Sequence, residues 1–423
     1  MMNEDLLQYI WLSGLFSQLQ LSTKENQAVE IIKRGLLNTD AGPDFLNAQV
    51  KINDTIWIGN IEIHTKASEW HTHKHQFDPA YNNTILHVVL KNDKDCFRYD
   101  GSALPCIEIE NRINMAVLQK YELLKNNALW VPCANFINKI DFITVSQEMD
   151  RKMIDRLQRK TETIDQWLKE SNNDWQTVFY ISLLRSFGFG VNSDAFELLA
   201  KNLPLAVLAK HKSNLFQLEA LIFGVAGFLD KEMEDIYFQD LKKEWLFLNK
   251  KYQLAALNPS VFKYMRMRPG NFPSIRMAQF AALVHSSSHL FSKIVEEEDV
   301  NKIIGFFKSE VSNYWQQHYV FDKASKPSKK QLSVGSIQIV MINCVVPILF
   351  VYGQMMSNEN LEQKALNILH QLPAESNQIV SNWAQLGVHA RSAFDSQALI
   401  ELKKNNCEHQ KCLSCKVGAK ILG

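Results

Sequence analysis

Residues 42–66 decide the fold and have the sequence GPDFLNAQVKINDTIWIGNIEIHTK. Apolar and polar residues alternate along 45–52 and again along 55–65, and Asn53-Asp54 between them is typical of a turn. Because side chains on a strand alternate between its two faces, this pattern predicts two strands that form a β-hairpin. The hairpin places the N-terminal part of the chain among mixed α/β structures.

The segments on either side of the hairpin complete this α/β region. Helical periodicity predicts helices at 5–19 and 24–37, before the hairpin. A polar, histidine-rich crossover follows the hairpin at 67–80. The segment TILHVVLK at 84–91 is apolar and β-branched, which is typical of a buried strand, and a short strand is expected at 107–110.

After about residue 113 the character of the chain changes. Nearly all of it has the periodicity of amphipathic helices, and no internal repeat of constant period is present. The sequence therefore predicts an α+β protein with a small mixed α/β domain at 1–130 and a larger all-α domain at 131–400. A cysteine-bearing tail at 401–423, too short to be a domain, is expected to pack on the rest.

Composition excludes several classes of protein. Apolar residues make up 46% of the 423 residues and charged residues 22%, which excludes a disordered chain, a collagen-like repeat and a small disulfide scaffold. The net charge of +1 argues against a protein that coats nucleic acid through bulk charge. The most apolar stretch, Ile337–Gly353, contains polar residues and a proline, so we interpret it as a buried helix rather than a membrane span. With an acidic N-terminus and an odd number of cysteines, we expect a cytoplasmic protein with no membrane partner.

The hairpin carries the strongest chemical signal in the chain. Asp44 begins its first strand, and Glu62, His64 and Lys66 follow one another at spacings of two on the second. This spacing puts the last three side chains on one face, where Asp44 from the neighbouring strand can point at the same place. Two converging carboxylates suit Mg²⁺ or Mn²⁺, and such an ion can activate water against a phosphodiester. His64 or Lys66 would orient that water or neutralise a phosphate oxygen.

The pattern resembles the restriction-endonuclease-like nuclease superfamily, whose motif is Pro-Asp, a spacer, and then Asp/Glu-x-Lys. Here Pro43-Asp44 is followed by Glu62-Ile63-His64, so a histidine stands where the superfamily has its lysine. The resemblance covers roughly residues 25–92. It implies a helix–strand–strand–helix–strand core and a Mg²⁺- or Mn²⁺-dependent nuclease acting on DNA. It also implies an acidic ligand on the preceding helix, for which Glu30 is the candidate.

Histidines are concentrated in the crossover and in the strand after it. His71, His73 and His75 alternate, which suits a strand or an extended loop better than a helix. One interpretation is a transition-metal site, another is contact with a nucleic-acid phosphate near the carboxylates, and a third is a solvated polar loop. His87 lies within an apolar strand, and we expect it to be a hydrogen-bonded core histidine.

The C-terminal end concentrates cysteines. Cys407, Cys412 and Cys415 lie close together, and the last two form a Cys-x-x-Cys pair that can chelate one ion from a tight turn. In one interpretation His409 completes a zinc site. An iron–sulfur cluster would instead need a fourth cysteine from elsewhere in the chain. The candidates are Cys96, Cys106, Cys133 and Cys344. The alternative to both is a set of reduced thiols in a terminal turn.

Basic and aromatic residues are concentrated at 241–276. Eight Lys and Arg accompany a single acidic residue there, and such a surplus can guide a phosphate backbone while aromatics stack on bases. The alternative is a solvated helix face over core aromatics. The loop RMRPGNFPSIR at 266–276 leads into a helix, and we predict that Arg266, Arg268 and Arg276 contact nucleic acid.

Over almost its full length the chain resembles a bacterial family known only as a domain of unknown function. The segments that carry this resemblance are Gly42–Phe45, Gly59–His64, Leu86–Val89, Glu219–Gly227, Arg268–Arg276, Asn343–Pro347, Ser396–Leu402 and Cys407–Gly418. It implies one conserved unit and supplies no activity. The leading hypothesis is a DNA-processing nuclease. The alternatives are a non-catalytic nucleic-acid-binding or scaffold protein with a degenerate nuclease domain, and a zinc hydrolase that uses the histidine triplet.

Overall fold

The chain forms two compact units in a computed structural model that describes residues 2–423. Unit 1 comprises Met1–Met149 and Leu402–Gly423, and unit 2 comprises Asp150–Glu401. The chain therefore leaves unit 1 and later returns to it, so the cysteine-bearing tail belongs to the same unit as the hairpin. Unit 1 holds a mixed sheet and unit 2 is largely helical, which confirms the predicted α+β class.

Unit 1 is built on a six-stranded mixed sheet. Its strands are β1 Val29–Lys33, β2 Leu36–Leu37, β3 Phe45–Ile52, β4 Thr55–Lys66, β5 Thr84–Lys91 and β6 Cys106–Glu108. Its helices are α1 Glu4–Ser13, α2 Glu69–Thr72, α3 Met115–Lys125, the first part of α4 Phe142–Glu170, and α19 Lys416–Leu422. The strand order is β1-β3-β4-β5-β6, and β2 pairs with β3 at the side of this path.

The centre of the sheet is the predicted hairpin extended by parallel strands. β3 and β4 pair antiparallel, β5 lies parallel to β4 with His87 opposite Glu62, and β6 lies parallel to β5. The first six residues of β5 are all buried, which explains its continuous apolar sequence. The strands predicted at 45–52, 55–65 and 84–91 are confirmed to within one residue.

The helix predicted at 24–37 is wrong. This segment instead forms β1 and β2, and β1 pairs antiparallel with β3 so that Val29 lies opposite Ile52. Its short apolar run is β-branched, and periodicity alone cannot separate such a run from a helix. Gly35 at φ +89° turns the chain between the two strands. The first helix also ends earlier than predicted, because Gly14 adopts a left-handed C-cap after Ser13.

Unit 2 contains the remaining elements. Its helices are the rest of α4, α5 Trp175–Ser186, α6 Ser193–Asn202, α7 Leu205–His211, α8 Leu215–Val225, α9 Ile236–Tyr252, α10 Pro273–Ser286, α11 Leu290–Glu296, α12 Val300–Gly305, α13 Asn313–Gln317, α14 Val334–Val340, α15 Val346–Met355, α16 Glu359–Gln371, α17 Gln378–Gln385 and α18 Ala393–Leu402. A small hairpin is formed by β7 His318–Val320 and β8 Lys323–Ala324.

The most apolar helix runs from α14 to α15 through a π-helical turn at Met341–Val345. In residues 2–423 it is the one helix long and apolar enough to cross a membrane, and 67% of its most apolar window is buried inside the protein. That burial is expected of a core helix. Asn343 in the π turn accepts a hydrogen bond from the Arg156 guanidinium at 3.1 Å and donates one to the Ile339 carbonyl at 3.0 Å.

Glu219 is a buried acid in the middle of unit 2. It lies on α8 with none of its surface exposed, and it accepts a hydrogen bond from the Tyr237 hydroxyl. Burial raises the pKa of Glu219 to about 7, although the tyrosine hydrogen bond acts in the opposite direction. The side chain is therefore half-protonated near neutral pH.

This raised pKa predicts a pH-dependent stability. Because the folded pKa lies above the unfolded value of 4.5, the free energy of unfolding should fall as pH rises from about 4.5 to about 7 and then level off. In Glu219→Gln this contribution is absent, so the variant should gain up to about 3 kcal/mol relative to wild type between about pH 5 and about pH 8. The free energy of unfolding of wild type and Glu219→Gln, measured in urea at about pH 5 and at about pH 8, tests this. Glu359→Gln, at an exposed glutamate, is the control. An unchanged difference between Glu219→Gln and wild type would contradict it.

Candidate metal centre

Asp44, just before β3, and Glu62, in the second half of β4, hold each other in place at the end of the hairpin away from its turn. The Asp44 backbone N–H donates to Glu62 Oε2 at 3.2 Å, and the Ile63 N–H donates to Asp44 Oδ2 at 2.8 Å. Each carboxylate thus accepts a hydrogen bond from the backbone at or beside the other acid. The two side chains lie side by side, as the sequence analysis expects; Asp44 Oδ1 accepts from Gln8, and Glu62 Oε1 lies beside two histidines.

Three imidazoles complete this cluster. His64 Nε2 lies 3.2 Å from His73 Nδ1 and 3.4 Å from Glu62 Oε1, and His75 Nε2 lies 3.2 Å from the same Glu62 oxygen. One ring nitrogen from each histidine lies within 4.8 Å of the other two. His75 Nε2 is buried and has no hydrogen-bond partner among the described residues, so its close approach to Glu62 lacks hydrogen-bonding geometry.

The electrostatics of the cluster suit a cation. Burial raises the pKa of both acids; Glu62 raises that of Asp44 further, and Glu4 raises that of both. Within residues 2–423 no lysine or arginine pairs with either carboxylate; their partners are histidines, backbone amides and Gln8. Burial also lowers the pKa of His64 to about 2, so its imidazole is neutral and its lone pair is available to a metal.

The crossover that carries the histidines is fastened to the end of β4. Glu69 on α2 accepts hydrogen bonds from the Thr65 N–H at 3.0 Å, the Thr65 hydroxyl at 2.9 Å and the Lys66 N–H at 3.1 Å. Lys74 adopts a left-handed φ of +63°, and this turn lets His73 and His75 on either side of it reach the same point. The triplet therefore lies on a helical turn and the bend after it, and the predicted extended conformation is wrong.

Aromatic rings pack against the histidines of the crossover and of β5. Trp70 is buried under the crossover, with His75, Tyr81 and His87 around it at ring-centroid distances of 5.4, 5.9 and 5.6 Å. Tyr81 also stacks on His75 at 3.8 Å. These contacts restrict the rotation of His75, so the ring is held in its orientation before any ion binds.

His87 orients His64. Its Nε2 lies 2.9 Å from His64 Nδ1, and burial lowers its pKa to about 3. When His64 carries its proton on Nδ1, it donates to His87 and leaves the lone pair of its own Nε2 directed at the cluster. The expectation of a hydrogen-bonded core histidine at position 87 is confirmed, and its partner is one of the cluster imidazoles.

Helix α1 supplies two side chains that the sequence analysis missed. Gln8 donates to Asp44 Oδ1 at 2.8 Å and contacts Glu4 Oε1 at 3.4 Å. Glu4 is partly buried, and burial raises its pKa while the nearby His73 lowers it. The two residues are one turn apart on α1, whose opposite face buries Leu6, Leu7 and Ile10 against the sheet. The i, i+4 spacing of Glu4 and Gln8 was the available signal.

Three predicted site residues lie outside the cluster. Glu30 is exposed on β1 opposite Lys51 rather than on a helix, so Glu4 is the acid that α1 contributes. Lys66 is exposed at the end of β4, while Glu62 and His64 on the same strand are buried. His71 turns the other way and hydrogen-bonds to the Asp95 carbonyl at 2.9 Å.

Comparison with known proteins assigns the chain to a family. The family model described as "Protein of unknown function (DUF2851)" matches residues 4–378. The chain belongs to the DUF2851 family. No curated protein and no solved structure matches it. The matched segment of this DUF2851 protein includes every residue of the cluster, from Glu4 to His87, and most of unit 2, but it ends before the cysteine-bearing tail.

The predicted arginine contacts of this DUF2851 protein lie in unit 2. Arg266 and Arg268 are exposed on the loop before α10. Arg276 is buried; its guanidinium donates to Gln279 at 2.9 Å and to Asn271 at 2.6 Å, and packs 3.8 Å from the Phe189 ring centre. In the described conformation Arg276 holds the loop and α10 together, and the other two arginines are the ones that face solvent.

The cysteines gather in a second cluster in unit 1. Cys407, Cys412 and Cys415 line a small cavity together with Cys133. His409 is exposed and does not line it. The three tail cysteines therefore lie around one cavity, as the sequence analysis expects. Cys133 is the fourth lining residue with a metal-binding side chain, where the zinc interpretation expected His409.

The geometry predicts which histidines bind a transition ion. Imidazole nitrogens beside a carboxylate suit Mn²⁺, Zn²⁺ or Fe²⁺ better than Mg²⁺. Replacing His64, His73 or His75 by Ala should each abolish tight Mn²⁺ or Zn²⁺ binding measured by titration calorimetry. His71→Ala on the same crossover is the matched control and should keep it. Equal binding by all four variants would contradict this assignment.

The contact between His87 and His64 predicts a smaller effect. His87→Phe keeps a ring of similar shape but removes the acceptor for His64 Nδ1, so metal affinity should fall about 10–100-fold without loss of the sheet. Titration calorimetry gives the affinity and circular dichroism checks the fold. A variant that folds and binds with wild-type affinity would show that His87 does not orient His64.

Proposed function

We propose that this DUF2851 protein is a metal-dependent nuclease that hydrolyses phosphodiesters of DNA. The observation that carries the proposal is the contact of Asp44 with Glu62 from the paired strand, beside the trio His64, His73 and His75. A hard or borderline divalent ion held there would activate water and neutralise charge that develops on the phosphate. The three imidazoles are the donors that would hold it, with Glu62 Oε1 beside two of them at 3.4 and 3.2 Å and Asp44 behind Glu62.

The order of elements supports the same proposal. α1, β3, β4, α2 and β5 follow one another as helix, strand, strand, helix and strand, with β1 and β2 inserted after α1. This order resembles the restriction-endonuclease-like core, and Asp44 and Glu62 lie at the positions of its two motif acids. Glu4 on α1 takes the position of an acid on the preceding helix.

His64 stands where that superfamily has lysine, and its environment supports a different role. An exposed lysine carries a charge to the phosphate, whereas His64 is buried, neutral and oriented by His87. It suits metal ligation better than phosphate contact. Lys66 does not replace the motif lysine in the described conformation, because its side chain is exposed beyond the end of the cluster.

The histidine trio favours one alternative, a zinc hydrolase that acts on substrates other than nucleic acid. Three imidazoles within 4.8 Å of one another resemble the ligand set of catalytic zinc sites, which leave one position for water. In that alternative Glu62 would act as the general base beside the metal. Both functions use the same histidine and carboxylate cluster, so the substrate that is hydrolysed, rather than the metal content, distinguishes the nuclease from the zinc hydrolase.

The test is cleavage of single- and double-stranded DNA and of RNA by metal-stripped protein supplied with Mn²⁺, Zn²⁺ or Mg²⁺. Wild type should cleave DNA, with Mn²⁺ the most effective, and Asp44→Asn and Glu62→Gln should lose cleavage because each removes a charged ligand. Asp54→Asn, an exposed acid at the turn of the same hairpin, is the matched control and should cleave normally.

Each contrary outcome points to a different function. Hydrolysis of an activated carboxylic ester by wild type but not by Glu62→Gln, with every nucleic acid left intact, would support the zinc hydrolase instead. Metal-loaded wild type that is inert on all these substrates would contradict both catalytic functions and favour a binding or scaffold role.

A further inference from the structure

Four of the seven cysteines meet in unit 1. Cys133, Cys407, Cys412 and Cys415 line one small cavity, and none of them forms a disulfide. The other three lie elsewhere: Cys96 and Cys106 pack with Trp70 under the crossover, and Cys344 is buried in unit 2. We propose that the four cavity cysteines ligate a four-iron iron–sulfur cluster, with Cys133 as the ligand from outside the tail.

The backbone of the tail is shaped to bring its three cysteines to the cavity. Cys407 ends a π-helical turn, Cys412 begins a 3₁₀ turn, and Cys415 immediately precedes α19. The Lys411 N–H donates back to the Asn406 carbonyl at 3.0 Å, which closes the loop between the first two cysteines. These three turns direct side chains that are separated in sequence toward one point.

Gly418 allows α19 to approach that point. A Cβ atom at this position would lie 2.0 Å from the Cys412 carbonyl oxygen, a distance that no side chain tolerates. The N–H groups of Val417 and Gly418 also donate to the Cys415 sulfur. Hydrogen bonds of this kind stabilise a thiolate and are one of the means by which proteins tune sulfur-ligated irons.

The chemistry of the donors agrees with the geometry. Burial raises the pKa of the Cys133 and Cys415 thiols to about 12 and that of Cys412 to about 11. Neighbouring cysteines raise the pKa of Cys133 further, and the nearby Glu148 carboxylate raises that of Cys415. The lining of the cavity offers sulfur donors and no carboxylate or imidazole, and such donors select zinc or iron–sulfur clusters over harder ions.

The spacing of the sulfurs distinguishes an iron–sulfur cluster from a single zinc ion. A single tetrahedral zinc with bonds of about 2.3 Å would hold its four sulfurs about 3.8 Å apart. In residues 2–423, however, the only trio of metal-ligand atoms within 4.8 Å of one another is the histidine trio. Every trio of these cysteine sulfurs therefore contains at least one pair more than 4.8 Å apart, wider than one zinc ion holds its ligands. A cluster that takes four thiolates at separate iron corners fits that wider spacing.

The test is the metal and sulfide content of full-length protein purified without oxygen and reconstituted with ferrous iron and sulfide. We expect about four irons and four acid-labile sulfides per chain and the broad visible absorption of an iron–sulfur cluster. Cys133→Ser should lose most of the iron and sulfide. Cys96→Ser is the matched control, because its hydroxyl can still donate to the Ala67 carbonyl as the thiol does, and it should keep both.

Several outcomes would overturn the proposal. They are one zinc per chain in place of iron, full-length protein that takes up neither metal, and a Cys133→Ser variant with wild-type iron and sulfide. Where Cys133→Ser is insoluble, Cys412→Ser on the more accessible tail replaces it, and retention of the full cluster in that variant would overturn the assignment equally. None of these measurements depends on nuclease activity.

Discussion

The burial of the Glu62 carboxylate beside the half-buried Asp44 is the constraint on which the organisation of unit 1 depends. Removing Asp44 and Glu62 from water costs free energy, and their proximity adds repulsion. The fold offsets part of this cost by giving each acid a backbone N–H from the other's strand segment. These hydrogen bonds also fix the start of β3 against the second half of β4. A bound divalent ion would offset the rest, since basic side chains take no part among the described contacts.

The crossover between β4 and β5 places histidines beside these two carboxylates. A parallel pair of strands requires a connection that returns across the sheet, and here that connection is only α2 and two 3₁₀ turns. Its shortness forces the chain over the carboxylates, and Glu69 anchors it at the point where β4 ends. The element that makes the sheet mixed therefore also delivers His73 and His75, while β4 and β5 themselves supply His64 and the residue that orients it.

The parts of this arrangement that were predictable from sequence are those that depend on local pattern. Alternation specified β3 and β4, and the apolar run specified β5, because burial on one or both faces leaves a direct trace in the residues. The segment 24–37 was not predictable, because its strands are stabilised by pairing with β3, which lies later in the chain. The histidine triplet was misread for a similar reason: one residue, Lys74, in a left-handed conformation reverses what the spacing suggests. Gln8 was missed because its partner Asp44 is distant in sequence. Cys133 was one of four candidates to join the tail cysteines, and sequence alone could not choose among them for the same reason.

The cysteine cavity joins two parts of the chain that sequence order keeps far apart. Cys133 precedes the whole of unit 2, and Cys407, Cys412 and Cys415 follow it, so the cavity lies where the two chain segments of unit 1 meet. A metal clip that closes a long loop removes more entropy from the unfolded chain than one that closes a short loop. A cluster at this position would therefore stabilise unit 1 where its two chain segments meet. The Lys416 N–H, which donates to Glu148 at 3.0 Å, strengthens the same junction without any metal.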